Sequence, residues 1–322
     1  MPHLDGVEST VKSPGLSQHI RRVVILGHTG FIGSHLVRSF QGQCPGIDVV
    51  GHSLPSMDLV EETEVANLSD LFDRQTAVIM CAAIKRQLGD NQEAFAQNVK
   101  IVANLCRLLQ DYPVRRFIYF SSAAVYGEDV HNTNISEETP VHPTSYYGIA
   151  KYTSECLLRK AVGEQRQGAL LILRPPTVYG PGDPSSYSPS GFLRAAIRQE
   201  KVTLWGDGSE RREFIFVGDI VELVRRLTFH EYSGVLNVAS GQSYTFSDTI
   251  DVVSQLVPPR LKIDSRPRTK KKADQGFSNG VLKRLFPDFS FTRLEEGARL
   301  TLQKEYSNIV AGVPRGAEEI SR

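Results

Sequence analysis

Short apolar runs alternate with longer amphipathic segments along most of the chain. Strand-like runs stand at Arg22 to Leu26, Asp48 to Val50, Ala77 to Cys81, Phe117 to Ser121 and Leu170 to Leu173. Helix-like spacing fills the intervals, as in Ala94 to Leu109 and Tyr147 to Ala161. That alternation predicts an α/β fold built on a doubly wound parallel sheet. From Pro175 onward the texture changes to loops rich in Pro, Gly and Ser, such as GPGDPSSYSPSG and LWGDGSERRE. A smaller C-terminal substrate lobe, interleaved with the sheet domain, is expected there. Both ends mix Gly, Pro, Ser and charge without periodicity, which predicts tails over 1–20 and 303–322. The sheet domain is then expected over 21–175 and the lobe mainly over 176–302.

The first strand runs straight into Gly27-His28-Thr29-Gly30-Phe31-Ile32-Gly33, followed by the helix-like SHLVRSF. Glycines in this place let backbone approach a pyrophosphate closely and aim free N–H groups at the anion. Strand, turn and helix in that order predict a Rossmann site for NAD or NADP. In NAD-preferring versions a carboxylate about 20 residues further on holds the adenosine ribose. Here that place reads Gly51-His52-Ser53, which favours NADP, with Thr29, His52 and Ser53 as candidate 2′-phosphate donors. Asp58 and Leu59 follow where an adenine edge could be met, and Ala82 and Ala83, directly after the third strand-like run, are candidate cofactor contacts, as are Tyr147 and Lys151. His28 reads as a spacer within the turn.

Composition narrows the partners. Thirty-seven basic residues against 36 acidic leave a formal charge of +1, so no global field points to nucleic acid or an anionic membrane. An anionic ligand must be gripped locally. The basic run Arg266 to Lys272 reads as a solvated loop. Four cysteines, Cys44, Cys81, Cys106 and Cys156, lack metal-ligand spacing, so no metal site is expected. No apolar stretch reaches membrane-spanning length and the start lacks a signal-peptide hydrophobic region, which predicts a soluble cytoplasmic protein.

Tyr147 and Lys151 stand four residues apart, on one face of a helix. An adjacent ammonium and a positively charged nicotinamide both stabilise phenolate, so together they are expected to lower the tyrosine's pKa and let it exchange a proton with a sugar hydroxyl or carbonyl. The strand FIYFSS ends in Ser121 and Ser122. Ser122 lies where a ligand crevice forms in open α/β sheets and is the candidate hydroxyl partner of Tyr147, whereas Ser121 is expected to satisfy nearby backbone groups.

With GHTGFIG, FSSAAVYG, YYGIAK, RPPTVYGPGD and LWGDGSERREFIFVGD in this order, the chain resembles the extended short-chain dehydrogenase/reductases, in the NAD-dependent epimerase/dehydratase group that modifies sugar nucleotides. The resemblance covers roughly residues 20 to 300. It implies a catalytic triad of Ser122, Tyr147 and Lys151, with Asn98 bracing the sheet near the cofactor and Arg212 gripping the substrate diphosphate. A guanidinium fork suits phosphate oxygens in any case, and Arg266 and Arg268 are candidates to complete the clamp. Thr177 departs from the asparagine common in RPxNVYGP, and Ala123 and Thr177 are the candidate sugar contacts.

Dehydratases of this kind carry an Asp-Glu pair just after the catalytic hydroxyl, decarboxylases a glutamate at the second of those places, and 3,5-epimerising synthases a cysteine there. Here the places hold Ala123 and Ala124. Hydride chemistry at C4 of a nucleoside-diphosphate hexose remains, either reduction of a 4-keto sugar or C4 epimerisation. The NADP-like ribose site, GHTG and SLPSMDLVEETEV favour reduction. A non-catalytic binding module would have lost the tyrosine or the lysine, and both are present. Apolar residues on more than one face of the two helix-like segments imply a further packing partner, and relatives pair those helices across a twofold, so a homodimer is expected.

Overall fold

The computed structural model describes residues 20–84, 89–163 and 168–310, with side chains described to residue 307. The expected tail over 1–19, and that over 311–322, lie outside the described residues. In chain order the elements are β1 Arg22–Leu26, α1 Phe31–Gln43, β2 Asp48–His52, α2 Glu62–Ala66, β3 Thr76–Met80, α3 Gln92–Asp111, β4 Arg116–Phe120, β5 Asn132–Ile135, α4 Tyr146–Gly163, β6 Ala169–Arg174 and β7 Thr177–Tyr179. There follow α5 Pro189–Ile197, β8 Lys201–Trp205, β9 Arg211–Arg212, β10 Phe214–Phe216, α6 Val217–Thr228, β11 Gly234–Asn237, β12 Tyr244–Thr245, α7 Phe246–Leu256, β13 Lys262–Arg266, β14 Gln275–Phe277, α8 Gly280–Leu285 and α9 Leu294–Val310.

The main sheet has six parallel strands in the order β11-β6-β4-β3-β1-β2. β3 and β4 are buried at every position, and past their first residues, Thr76 and Arg116, they are apolar runs, as strands with helices on both faces require. One face packs on α1, α6 and α8 through Leu36, Phe40, Ile220, Leu223 and Leu282. The other packs on α3 and α4 through Ile101, Leu105, Leu109, Leu158 and Val162. Strand order reverses between β1 and β3, which opens a crevice at their carboxyl ends. Leu26 is level with both His52 and Met80, so the turns after β1, β2 and β3 meet side by side.

A second core joins α5, α7 and α9 around Tyr179, Phe192, Phe214, Ile250 and Leu302. The two parts interleave: β11 returns to the main sheet, and α6 and α8 cover it. Two end boundaries move. Ile20 is buried in the first core, and residues 303–310, expected as tail, continue α9. Within α9, Glu305 accepts a hydrogen bond from the Gly182 N–H, which ties the segment to the lobe. Its polar run KEYSN hid the helix from a reading by apolar periodicity.

Candidate active site

A cleft of about 710 Å³ opens at the carboxyl ends of the strands, walled by the glycine turn, Ser122 to Ala124, Tyr147, Lys151, Thr177 and Arg212. Gly27 adopts φ +89°, and a Cβ there would stand 2.7 Å from the Ala82 nitrogen. At Gly33 a Cβ would meet the Gly27 carbonyl oxygen at 2.1 Å. The glycines thus bring α1 hard against the ends of β1 and β3. α1 begins at this wall with no side-chain cap and no acidic residue in its first turn, so its positive end faces the cleft uncompensated. An NAD(P) pyrophosphate fits that cradle. Gly27, Gly30, Phe31, Ile32, Gly33 and Ala83 line the cleft.

Of the other candidate cofactor residues, Tyr147 and Lys151 are on that lining, whereas Thr29, His52, Ser53, Asp58, Leu59, Ala82 and Asn98 stand outside it. Ser53 Oγ accepts from the Thr29 N–H at 3.1 Å and pairs with His28 Nδ1 at 2.9 Å, so His28 is a partner of the β2 turn rather than a spacer. Its ring lies over Gly51, where a Cβ would be 2.5 Å from it. His52 keeps a buried Nε2 without a hydrogen-bond partner, and burial, helped by His28, lowers its pKa. Asp58 accepts from the Val60 N–H at 2.9 Å through one carboxylate oxygen, while the Leu59 side chain is buried in the core. Asn98 exchanges two hydrogen bonds with Ile84, at 2.8 and 3.0 Å, bracing the loop that begins with Ala82 and Ala83.

Ser122, Tyr147 and Lys151 come together. Ser122 caps the short turn Ala123–Tyr126, accepting from the Ala124 N–H at 3.1 Å, and also hydrogen-bonds the Tyr147 hydroxyl. Gly148 makes this possible, since a Cβ there would be 2.7 Å from the Ala124 carbonyl oxygen. Lys151 is 4 % exposed and donates to the Phe120 carbonyl at 2.7 Å, with Nζ 5.6 Å from the Tyr147 ring centre. Burial brings its pKa down to about 8. In the protein alone the phenol of Tyr147 is raised: burial and then the Glu128 charge push it up to about 12, while Ser122 acts the other way. The ammonium gives one hydrogen bond to a backbone carbonyl and also stands over the phenol ring as a cation.

Beneath the site Ser121 donates to Glu155 at 2.5 Å, and Arg174 grips the same carboxylate at 2.6 and 2.9 Å. That buried pair fixes α4 against β4 and β6.

Several lining residues were missed from sequence: Glu128, Asp129, Tyr187, Glu213 and Gln275. Glu128 and Asp129 directly follow the VYG stretch, and charge next to that motif was the available signal. Glu213 accepts from the Ser240 hydroxyl at 2.8 Å and the Gly241 N–H at 3.0 Å, yet burial pushes its carboxyl up to about 7.

A second cavity of about 390 Å³ adjoins the cleft and shares Glu128, Asp129, Tyr187 and Arg212 with it. Arg268 lines the second cavity, beside Arg212. Arg266 does not join them. Its guanidinium sits 5.8 Å from the Trp205 ring centre and donates to Asp264 at 3.1 Å. Among the described residues no group of three His, Cys, Asp or Glu side chains is placed to hold a metal. No described helix is long and apolar enough to cross a membrane.

Residues 23–239 match the model of the NAD dependent epimerase/dehydratase family. The chain belongs to that family. Among curated relatives, a dTDP-4-dehydro-6-deoxy-D-allose reductase of a Streptomyces species is 28 % identical over 281 residues, covering 77 % of this chain and 85 % of the relative. UDP-glucuronic acid decarboxylase 4 of Arabidopsis thaliana is 26 % identical over 279 residues, which are 80 % of this chain and 62 % of that protein. The chain therefore spans only about three fifths of that relative. Among solved structures, Thermus thermophilus UDP-glucose 4-epimerase in complex with NAD superimposes with a TM-score of 0.76 at 26 % identity, covering 88 % of this chain and 98 % of that one.

Proposed function

We propose that this family member is an NAD(P)-dependent sugar-nucleotide oxidoreductase that moves hydride at C4 of a nucleoside-diphosphate hexose, acting as a 4-keto sugar reductase. The observation that carries this reading is the convergence of Ser122, Tyr147 and Lys151 on one cleft wall, with Ala123 and Ala124 beside them. The adjoining cavities suit one ligand with its sugar in the first, its nucleoside in the second and its diphosphate at the shared rim by Arg212.

Gly27, Gly30 and Gly33 with the start of α1 would hold the pyrophosphate of the cofactor. Bound there, the nicotinamide supplies hydride. Tyr147 then donates its hydroxyl proton to the C4 oxygen as C–H forms at carbon, and Ser122 holds that oxygen and the phenol together. Lys151 orients the backbone at Phe120 and brings positive charge behind the tyrosine as phenolate develops. His52 and Ser53 in place of a ribose-binding carboxylate support NADP.

C4 epimerisation is the second reading, supported by the likeness to the Thermus epimerase with its NAD. We further propose a homodimer. α3 and α4 pack side by side on one face of the sheet, and Ile149 and Tyr146 on α4 are exposed.

Mass spectrometry of the denatured protein, together with turnover assays, tests the assignment. NADPH consumption by a dTDP-4-keto-6-deoxyhexose supports the reductase. Retained NAD with interconversion of UDP-glucose and UDP-galactose replaces it with the epimerase. Absence of both, with cofactor bound, overturns the C4 reading.

A further inference from the structure

The rim shared by the two cavities holds an anion of the protein's own. Glu210 extends one carboxylate oxygen to Arg212 and the other to Arg268, and all three side chains line the second cavity. Each guanidinium is one hydrogen bond from the same carboxylate. The two therefore stand within roughly 8 Å of one another, a gap that two linked phosphoryl groups can bridge.

Neither arginine depends on Glu210 for its position. Arg212 Nη1 donates to the Arg211 carbonyl at 2.9 Å and also to the Ala273 carbonyl. Arg268 lies flat against Gly206, where a Cβ would come within 2.3 Å of its Nε, and it has a second carboxylate in Asp207 at 3.2 Å. Carbonyls hold Arg212, Asp207 and the packing on Gly206 hold Arg268, and the Glu210 carboxylate is the part that can leave. Its side chain is 17 % exposed, so it has a route into solvent.

We propose that Glu210 is an internal competitor for the diphosphate: its carboxylate occupies the two-arginine clamp when no substrate is bound, and the substrate's diphosphate displaces it. Glu210 thereby sets the affinity of the clamp, and favours ligands with two phosphoryl groups because only these take both arginines at once. This rests on the sugar-nucleotide reading of the cleft. Other charges around the rim, Glu128, Asp129, Lys270 and Lys271, line the same cavity.

Calorimetric titration of UDP, and of inorganic pyrophosphate, into the wild type and Glu210→Gln separates competitor from brace. The variant is expected to bind both probes about tenfold more tightly, the scale of one hydrogen bond to a charged group. Its melting temperature and its NADPH affinity should be unchanged. Arg212→Ala in the same background should abolish the gain. Equal or weaker UDP binding in a variant that melts and binds NADPH like the wild type overturns the proposal while leaving the sugar-nucleotide reading intact. If wild type and variant both bind NADPH but neither probe, the reading of the cleft fails and the proposal with it. Should Glu210→Gln not fold, Glu210→Asp, whose shorter arm cannot reach both arginines, should bind UDP about threefold more tightly. Failure of both to fold would make Glu210 a brace.

Discussion

The Lys151 ammonium lies 5.6 Å from the centre of the Tyr147 ring and gives its hydrogen bond to the Phe120 carbonyl, 2.7 Å away. One turn of α4 therefore carries both groups, but β4 decides where the lysine points. The charge sits behind the phenol rather than on it, and the hydroxyl is left to Ser122 and to substrate.

Tyr147→Phe removes the only proton of this group that substrate can share, and leaves the ring packing intact. Turnover should fall roughly 10²- to 10⁴-fold with cofactor affinity unchanged. Steady-state assays with the best 4-keto sugar nucleotide, beside a cofactor titration, check this. Native turnover in the variant would remove Tyr147 from the mechanism.

Lys151 makes stability depend on pH. With its folded pKa near 8 and an ordinary value of 10.5, the unfolded chain holds more protons between those values, so stability rises with pH across that window. From pH 7.5 to 9.5 the gain from this group is about 2 kcal/mol. Above pH 10 the raised Tyr147 opposes it, because the unfolded phenol ionises first. Urea unfolding of the wild type and Lys151→Met at both pH values should show the difference between them shifting in favour of the wild type by that amount. A difference independent of pH would mean that the ammonium is not held in a dry site.

Glu128 contributes to raising the Tyr147 phenol, after burial. Glu128→Gln should shift the tyrosine limb of the pH–rate profile to lower pH. For a reaction run in the direction that needs phenolate, the rate at pH 8 should rise about two- to fivefold. An unmoved limb in a variant of native stability would show that the charge is screened from the phenol.

Gly33→Ala tests the cradle. Its new methyl would stand 2.1 Å from the Gly27 carbonyl oxygen, whereas at Gly30 the same oxygen is 3.2 Å away. We expect Gly33→Ala to lose about 1–3 kcal/mol of stability and most cofactor binding, with Gly30→Ala milder in both. Thermal melts and cofactor titration rank the two variants, and equal behaviour would refute the close approach.

Sequence revealed what short-range pattern encodes. Apolar runs gave the strands at Arg22, Ala77 and Phe117 because buried parallel strands need them, and spacing alone put Tyr147 and Lys151 on one helix face. Pairings across the fold were not legible. His28 meets Ser53 only because the ends of β1 and β2 are level, and Glu155 meets Arg174 only because α4 lies against β6. The burial that raises the Tyr147 phenol was not legible for the same reason, since it depends on every wall of the cleft. Arg212 could be singled out as a cation, but that Glu210 bridges it to Arg268 requires the Arg268 loop to fold back over Gly206.

The return of β11 to the main sheet also constrains how the protein is made. β6 ends at Arg174 and pairs along its far edge with a strand that begins at Gly234, about 60 residues later. During translation that edge waits for roughly 3–13 s at ordinary ribosomal speed, its backbone groups unpaired. α6, which covers one face of the sheet, arrives in the same interval. A nascent chain stalled near Pro175 would therefore display an open strand and a bare apolar face together, and would be a client for chaperones until β11 emerges.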